Sequence, residues 1–374
     1  MKVLHVISDE NIGGAGVLLT SLLRRFDRER VESVVALPQN SLLIPRVEAL
    51  AVKTIGLRHP CDRIDVRSIR EIRGIIKREA VDIVHANAAL SARMAGRLAG
   101  VCVIHTRHCC FEPRGIWKNG AIRKIGGGWN RLLSDCVVAT ADAAAENLYQ
   151  FGIPQNRVEV IINGSEPIRE VAESELDGYR TRFSIGEDDF CIGICARLEP
   201  YKGHEIFFHA AKRVMESCPH VRFRFLVVGD GSQRAELEAL CKEMNLSPFV
   251  CFTGFVEDMA PVYRLLRVNV NCSCGTETSC LALSEGMSAG VPFLASDFGG
   301  NDAMCGGSEA GRIYPTGSAE ALAAHLVRIA SDRALEERMK KAAKERYEQK
   351  YTAVAMSEAL TAVYERMMQS KMQH

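Results

Sequence analysis

Four groups of residues in this sequence have the types and the spacing to do chemistry. Arg197 and Lys202, in Ala-Arg-Leu-Glu-Pro-Tyr-Lys-Gly, are two cations five residues apart in a strand-to-helix loop. An arginine fork and a lysine point charge can converge on one anion, and the positive end of the following helix adds to them. A diphosphate suits that arrangement; on their own the two also read as solvated loop cations. Glu277 and Glu285 are eight residues apart, a little over two helical turns. They are expected near one face of a helix spanning Ser279–Ala289, where carboxylates accept hydrogen bonds from the vicinal hydroxyls of a ribose or hexose. That spacing carries little alone and gains weight from following a buried strand. Gly13-Gly14-Ala15-Gly16 is a further anion-site candidate, because glycines let backbone approach a ligand and a helix N-terminus follows. It lacks the dinucleotide spacing G-x-G-x-x-G and the Lys-Ser/Thr of a P-loop, and reads equally as a tight turn. His105 and His108 follow another strand, as donors to a polar ligand or as satisfied structural histidines. No Asp-x-Asp occurs in the chain, so no metal is expected beside a diphosphate.

The elements that must position these residues alternate. Val3–Ile7, Ser33–Ala36, Ile83–His85, Val101–Thr106, Cys136–Ala139 and Val158–Ile162 read as buried strands, with helices such as Val17–Phe26, Val66–Arg78 and Asn87–Leu98 between them. Residues 166–186 are polar and charged and read as a linker. The alternation then restarts with strands at Phe190–Cys195, Phe223–Val228, Val250–Phe252, Val268–Cys272 and Pro292–Ala295. Repeated strand-helix units specify parallel sheets covered by helices. The expectation is an α/β chain with two Rossmann-like domains, 1–165 and 187–350, facing each other across a cleft. Ligands of such sheets bind beyond the carboxyl ends of the strands.

Composition narrows the classes. The chain has 374 residues, 47% hydrophobic and 25% charged, which excludes long disorder, collagen and coiled coil. The net charge of +1 gives no global attraction to nucleic acid, and no known nucleic-acid module is present. The balance is uneven: residues 1–164 hold 23 basic and 16 acidic side chains (+7), the remainder 24 and 30 (−6). The 14 cysteines are scattered. Cys109-Cys110 and Cys272-Ser273-Cys274 have no partners at zinc-site spacing, so buried free thiols in a reducing cytosol are expected. Met1-Lys2 is followed by too short an apolar run for a signal peptide, and no run reaches the ~18 apolar residues of a membrane span. Pro113–Ser134 is different. Arg114, Lys118, Arg123, Lys124 and Arg131 occur there without an acid, interleaved with Ile116, Trp117, Ile122, Ile125 and Trp129. Such a segment suits an anionic membrane surface or a helix packed inward with its cations in water; Gly126-Gly127-Gly128 weakens a continuous helix. The localisation expected is cytoplasmic, with a peripheral position at the inner face of the cell membrane.

Taken in order, these features resemble the GT-B glycosyltransferases, specifically the retaining glycosyltransferase family 4 (glycosyl transferases group 1). The resemblance rests on Gly13-Gly14, His85 in Ile-Val-His-Ala-Asn, His108 in Thr-Arg-His, Asn163-Gly164, Arg197…Lys202-Gly203, Val228-Gly229-Asp230-Gly231, Phe252-Thr-Gly-Phe-Val256, Glu277-x7-Glu285-Gly-Met-Ser-Ala-Gly-Val-Pro292 and Asp297-Phe-Gly-Gly300. It implies that Arg197 and Lys202 hold the diphosphate of a nucleotide-sugar, that Glu285 bonds the ribose and that Glu277 faces the donor sugar. Backbone near Val256 would meet the base, and amides near Leu281 the phosphates. Gly13 and Gly14 would close over the donor, and His108 would touch its sugar. The resemblance also implies that a C-terminal helix, 351–370, crosses back onto the first domain. The function implied is metal-independent, retaining transfer of a sugar, UDP-linked by preference, to a hydroxyl of a glycan or lipid-linked acceptor in envelope or extracellular polysaccharide synthesis. No cofactor is implied. Alternatives are a non-catalytic nucleotide-sugar-binding protein of the same fold, a GT-B epimerase or phosphorylase, and a nicotinamide dehydrogenase, which the missing glycine fingerprint disfavours. Two departures stand out. Thr278 replaces a glycine often found after the first glutamate, and Ala86-Asn87 follows His85 where a second histidine sometimes stands.

Overall fold

In the computed structural model the described residues are all except 11, 12, 109–114, 116–118, 276, 373 and 374. They fall into two compact units, Met1–Ser165 with Ala353–His374, and Glu166–Thr352.

The first unit runs β1 (Lys2–Ile7), α1 (Gly14–Arg25), β2 (Glu32–Pro38), α2 (Ile44–Glu48), β3 (Lys53–Leu57), α3 (Val66–Glu79), β4 (Ile83–Asn87), α4 (Leu90–Ala99), β5 (Cys102–Arg107), α5 (Gly120–Leu133), β6 (Cys136–Ala139), α6 (Asp142–Gln150) and β7 (Val158–Val160). The strands pair in parallel in the order β3-β2-β1-β4-β5-β6-β7. Helices cover both faces of such a sheet, so its central strands carry unbroken buried runs; every residue of β4 is buried. α3 shows how the helices are specified. Asp65 caps its start, accepting from the amides of Arg67 and Ser68, and Ala80 ends it in the left-handed region. Its Ile69, Ile72 and Ile76 fall on one buried stripe, each contributing about 1.5–3 kcal/mol of burial.

The second unit runs α7 (Glu173–Phe183), β8 (Phe190–Cys195), α8 (His204–Ser217), β9 (Phe223–Val228), α9 (Arg234–Glu243), β10 (Val250–Gly254), α10 (Ala260–Leu265), β11 (Val268–Asn271), α11 (Leu281–Ser288), β12 (Phe293–Ser296), α12 (Asn301–Cys305), β13 (Gly311–Tyr314), α13 (Ala319–Ser331) and α14 (Arg333–Lys350). Its parallel sheet has the order β10-β9-β8-β11-β12-β13. The last helix, α15 (Ala353–Met372), lies in the first unit, where Leu360, Val363 and Tyr364 are buried.

Two expectations are corrected. The segment read as a linker, 166–186, is part of the second unit and holds α7. That helix is polar over most of its surface but ends in Phe183, buried in a cluster with Ile185, Leu226 and Tyr263. The glycines at 126–128 do not break a helix: α5 is continuous through them. A Cβ on Gly127 would lie 2.2 Å from the carbonyl oxygen of Gly152, so the helix uses this glycine to approach the end of α6. Arg114, Ile116, Trp117, Lys118 and the Cys109-Cys110 pair lie outside the described residues, as does the side chain of Lys124. Among the described cysteines, most are buried free thiols, while Cys274 is exposed.

Candidate functional site

In both sheets the strand order reverses beside the first strand, between β1 and β4 and between β8 and β11. Ligands of open α/β sheets gather at the carboxyl ends of the strands flanking such a reversal. Arg197 and Lys202 follow β8 and Glu277 follows β11, so the reversal in the second unit carries the charged candidates.

The two loops are fastened to each other. Gly203 has φ +67°, and a Cβ there would lie 2.3 Å from the Cys272 carbonyl oxygen. The amide of Cys274 donates to the carbonyl of Tyr201 (2.8 Å). Lys202 then reaches across, with Nζ 2.7 Å from Glu277 Oε2. The same oxygen accepts from Ser273 Oγ (2.9 Å) and Asn271 Nδ2 (3.3 Å). Three donors on Oε2 leave Oε1 to accept from something else. Glu277 is only 7% exposed. Burial opposes its ionisation, but Lys202, Ser273 and Asn271 outweigh it and hold the carboxyl below its ordinary range. Burial likewise works against the charge on Lys202, and Glu277 more than restores it. Both groups are therefore ionised at neutral pH. Arg197 is exposed and donates one N–H to the Tyr201 hydroxyl (2.5 Å), and Lys202 sits over the same ring at 5.6 Å.

The two glutamates are not two turns of one helix. α11 begins at Leu281 with Cys280 as its uncapped N-terminal boundary, which leaves Glu277 in the preceding loop and Leu281 at the open amide end. Glu285, on the second turn, accepts from the Tyr263 hydroxyl (2.8 Å). Burial raises its pKa, and the tyrosine only partly offsets that. The side chain of Val256 is packed in the core with Tyr263 and Val291, so only its backbone is available to a base; Phe255 beside it is exposed.

The first unit presents different chemistry at its reversal. Gly13 caps α1 without a side-chain hydrogen bond and Gly14, exposed, opens the helix. His108 Nε2 lies 2.9 Å from Asn87 Oδ1, which assigns the ring N–H to that nitrogen. Burial lowers the pKa of His108 to about 4, so the ring is neutral at pH 7. His85, beneath it on β4, bonds Tyr364 of α15 through Nδ1 (2.5 Å) and Thr106 through Nε2 (2.6 Å). His5 packs against His85 and Phe26, and burial pushes its pKa down to about 3. His105 is also buried and held neutral. The cavity among His5, His85, Asn87 and His108 is about 30 Å³, a water's worth of space.

Two family models match the chain in succession, Glycosyltransferase Family 4 over residues 12–168 and Glycosyl transferases group 1 over residues 189–332. The chain belongs to the family 4, group 1 glycosyltransferases. Among its relatives, the Escherichia coli UDP-Gal:alpha-D-GlcNAc-diphosphoundecaprenol alpha-1,3-galactosyltransferase is 25% identical over 283 residues, 72% of each chain. The 2-deoxystreptamine glucosyltransferase of Streptomyces kanamyceticus is 27% identical over 301 residues, 77% of this chain and 71% of that one. The fold is GT-B. The crystal structure of Anabaena HepE in complex with UDP and glucose matches with a TM-score of 0.84 at 18% identity, covering 98% of this chain and 100% of that one. WaaG, a glycosyltransferase involved in lipopolysaccharide biosynthesis, matches at 0.70 and 15% identity, covering 96% and 99%.

Several groups that shape this glycosyltransferase's site were not picked out by sequence reasoning. Asn271 and Ser273 orient Glu277, and Tyr201 joins Arg197 to Lys202. Gly299, at φ +66°, brings the loop after β12 so close that a Cβ would lie 2.2 Å from the Glu277 carbonyl oxygen. The available signal was Asn269-Val270-Asn271: two amides at alternate positions of a short buried strand face the same side, and each needs a partner there. Asn269 finds the carbonyl of Ala282 on α11, and Asn271 finds Glu277.

Proposed function

We propose that this glycosyltransferase is a retaining, metal-independent enzyme that moves a sugar from UDP to a hydroxyl of a glycan or lipid-linked acceptor in polysaccharide assembly. The observation that carries the reading is the buried Lys202–Glu277 pair beside the exposed Arg197 and the uncapped start of α11. Lys202 has two ammonium protons beyond the one given to Glu277, and Arg197 has donors beyond the one given to Tyr201. With the α11 amides at Leu281 they can take a departing diphosphate. Glu277 Oε1 would accept from hydroxyls of the donor sugar, and Glu285 Oε1 from the ribose. Backbone near Val256 would meet the base. His108 would offer the sugar an uncharged edge, and the open amides at Gly13-Gly14 a further polar contact.

In the reaction, the bond from the anomeric carbon to the diphosphate oxygen breaks and positive charge grows on the sugar. The acceptor oxygen bonds to that carbon from the same face, its proton passes to the leaving phosphate oxygen, and UDP departs with configuration retained. Glu277 is tied by three donors through Oε2 and orients the sugar; it is not a covalent nucleophile in this scheme. UDP as the nucleotide draws support from the HepE complex and from the donor named for the E. coli relative. Among the described residues no helix is long and apolar enough to cross a membrane. A peripheral position, in a cytoplasmic enzyme, rests on α5, whose Ile125, Trp129 and Leu132 are 65%, 59% and 67% exposed beside Arg131.

Nucleotide release from a panel of UDP-, GDP- and ADP-sugars, with and without EDTA, tests the reading. Release from a UDP-sugar that EDTA leaves unchanged and Lys202→Ala lowers by about 10²- to 10³-fold is expected. Release that EDTA stops would overturn the metal-free scheme, and near-normal turnover by Lys202→Ala would remove Lys202 from it.

A further inference from the structure

A second concavity in the first unit is lined, among the described residues, by none of the groups assigned to transfer. Its volume is about 370 Å³, and α4, α5, the end of β5 and the end of α6 enclose it, a size within the range of small-ligand sites. The walls are mainly apolar: Met94, Leu133, Leu148 and Phe151 line it, with Trp129 at the exposed edge. Two cations enter this apolar space, Arg93 and Arg107, and among the described residues that line it there is no Asp or Glu.

Arg93 is the telling residue. It is only 7% exposed, yet its hydrogen bonds go to neutral groups, Nε to Ser134 Oγ (2.9 Å) and Nη2 to Asn130 Oδ1 (2.7 Å). Among the described residues no ion pair joins it to a carboxylate. A buried guanidinium without a counter-charge is an expensive thing to keep in a folded protein. Burial, with Arg107 nearby, draws its pKa down to about 10. Arg107 lies with its guanidinium carbon 5.9 Å from the centroid of the Phe151 ring, which sets it against an apolar wall. The cavity thus joins the charge of Arg93, which no carboxylate among the described residues meets, to surfaces that favour hydrocarbon.

We propose that this cavity binds an amphipathic anion, a phosphate or diphosphate ester carried on a hydrocarbon chain. The phosphate oxygens meet Arg93 and Arg107, and the chain lies along Leu133 and Leu148 and leaves past Trp129. A free inorganic anion would use the arginines but not the walls; a neutral alkyl chain would use the walls and leave Arg93 uncompensated. The site lies within the first unit, and its test needs no nucleotide-sugar. Its failure would leave the transfer reading untouched, and failure of that reading would leave this one standing.

The chain has two tryptophans, so Trp117→Phe makes Trp129 the sole indole reporter. Titration of that protein with decyl phosphate below its micelle concentration is expected to give a saturable blue shift of Trp129 emission. Arg107→Gln in the same background is expected to weaken binding at least about tenfold, the loss of one charge-assisted contact. Arg93→Gln is expected to weaken it further; because Arg93 also holds α5 through Asn130 and Ser134, Arg107→Gln carries the test if that variant does not fold. No saturable shift with decyl phosphate would overturn the proposal. An equal response to decanol would overturn its anionic part, and equal affinity for inorganic pyrophosphate its hydrocarbon part.

Discussion

The two sheets share a strand order and reverse beside the first strand, yet the reversals are furnished in opposite ways. After β8 and β11 the second unit places ions: Lys202 against Glu277, with Arg197 in solvent. On β1, β4 and β5 the first unit places the buried imidazoles of His5, His85 and His105, with the half-buried His108 just after β5, all held neutral. The topology supplies a place for chemistry, and the side chains decide which charge it welcomes. The ionic loops suit a doubly phosphorylated leaving group. The neutral cluster, tied to α15 through Tyr364, suits a wall that must stay uncharged and fixed.

The largest effect that separates the two regions is expected from Lys202→Ala. It removes a donor to the leaving group and strips Glu277 of its counter-charge in one step. Turnover should fall about 10²- to 10³-fold, the scale of a lost oxyanion donor. The folded state should lose up to about 3–5 kcal/mol, the range for breaking a buried pair, and less insofar as Lys202 keeps some solvent. Single-turnover kinetics and thermal melting together measure both. Glu277→Gln should reduce turnover by about 10² with a smaller drop in melting temperature, since the amide keeps the shape and can still accept from Ser273. Equal losses in the two variants would mean that the pair serves mainly as a strut.

Tyr364→Phe is the matching probe in the first unit. It leaves a buried His85 nitrogen without its partner, and about 1–3 kcal/mol of stability should go with it. Turnover per folded molecule should change less than about threefold. A large loss of turnover at unchanged stability would move the His85–Tyr364 pair from scaffold to mechanism. Glu285→Gln comes next, with an expected rise of up to about tenfold in donor KM and little change in kcat, as for one hydrogen bond to a charged group.

How much of this was legible from sequence differs in the same way between regions. Strands such as Phe190–Cys195 and Phe223–Val228 were legible to the residue, because a strand buried on both faces must be an apolar run. α7 and α14 were not: α14 is charged over most of its length and buries only scattered residues such as Met339, Ala343 and Tyr347. β13 (Gly-Arg-Ile-Tyr) and β3 (Lys-Thr-Ile-Gly-Leu) are too short and mixed to stand out. Lys202 and Glu277 could be singled out because punctuation after a buried strand marks a site. Their being in contact could not, since 75 residues separate them. His85 and Tyr364 stand 279 residues apart, and nothing local in either segment names the other.

The smallest expected effect concerns acid, and it sets the two units against each other directly. A histidine held at about 3 or 4 in the fold returns to about 6.5 when the chain unfolds. Between those values the unfolded state binds the extra proton, so stability falls as pH drops from about 6.5 toward 4 and is flat above. Among the described residues the first unit holds four rings lowered by burial, His5, His85, His105 and His108. The second holds two among the described residues, His204, lowered to about 4 by burial and Lys202, and His325. The carboxylates of the second unit also act lower on the scale. Glu277, depressed in the fold, keeps its contribution until pH falls below the ordinary carboxylate value, and Glu285, raised by burial, gains relative stability as pH falls. The first unit should therefore loosen earlier. Amide exchange at pH 7, 6 and 5 should show protection declining in β1, β4 and β5 while β8 and β11 hold. His5→Phe, which removes one titrating ring and keeps its stacking on Phe26, should flatten the decline in the first unit alone. An equal decline in both units would mean that the contrast between neutral and ionic reversals does not extend to stability.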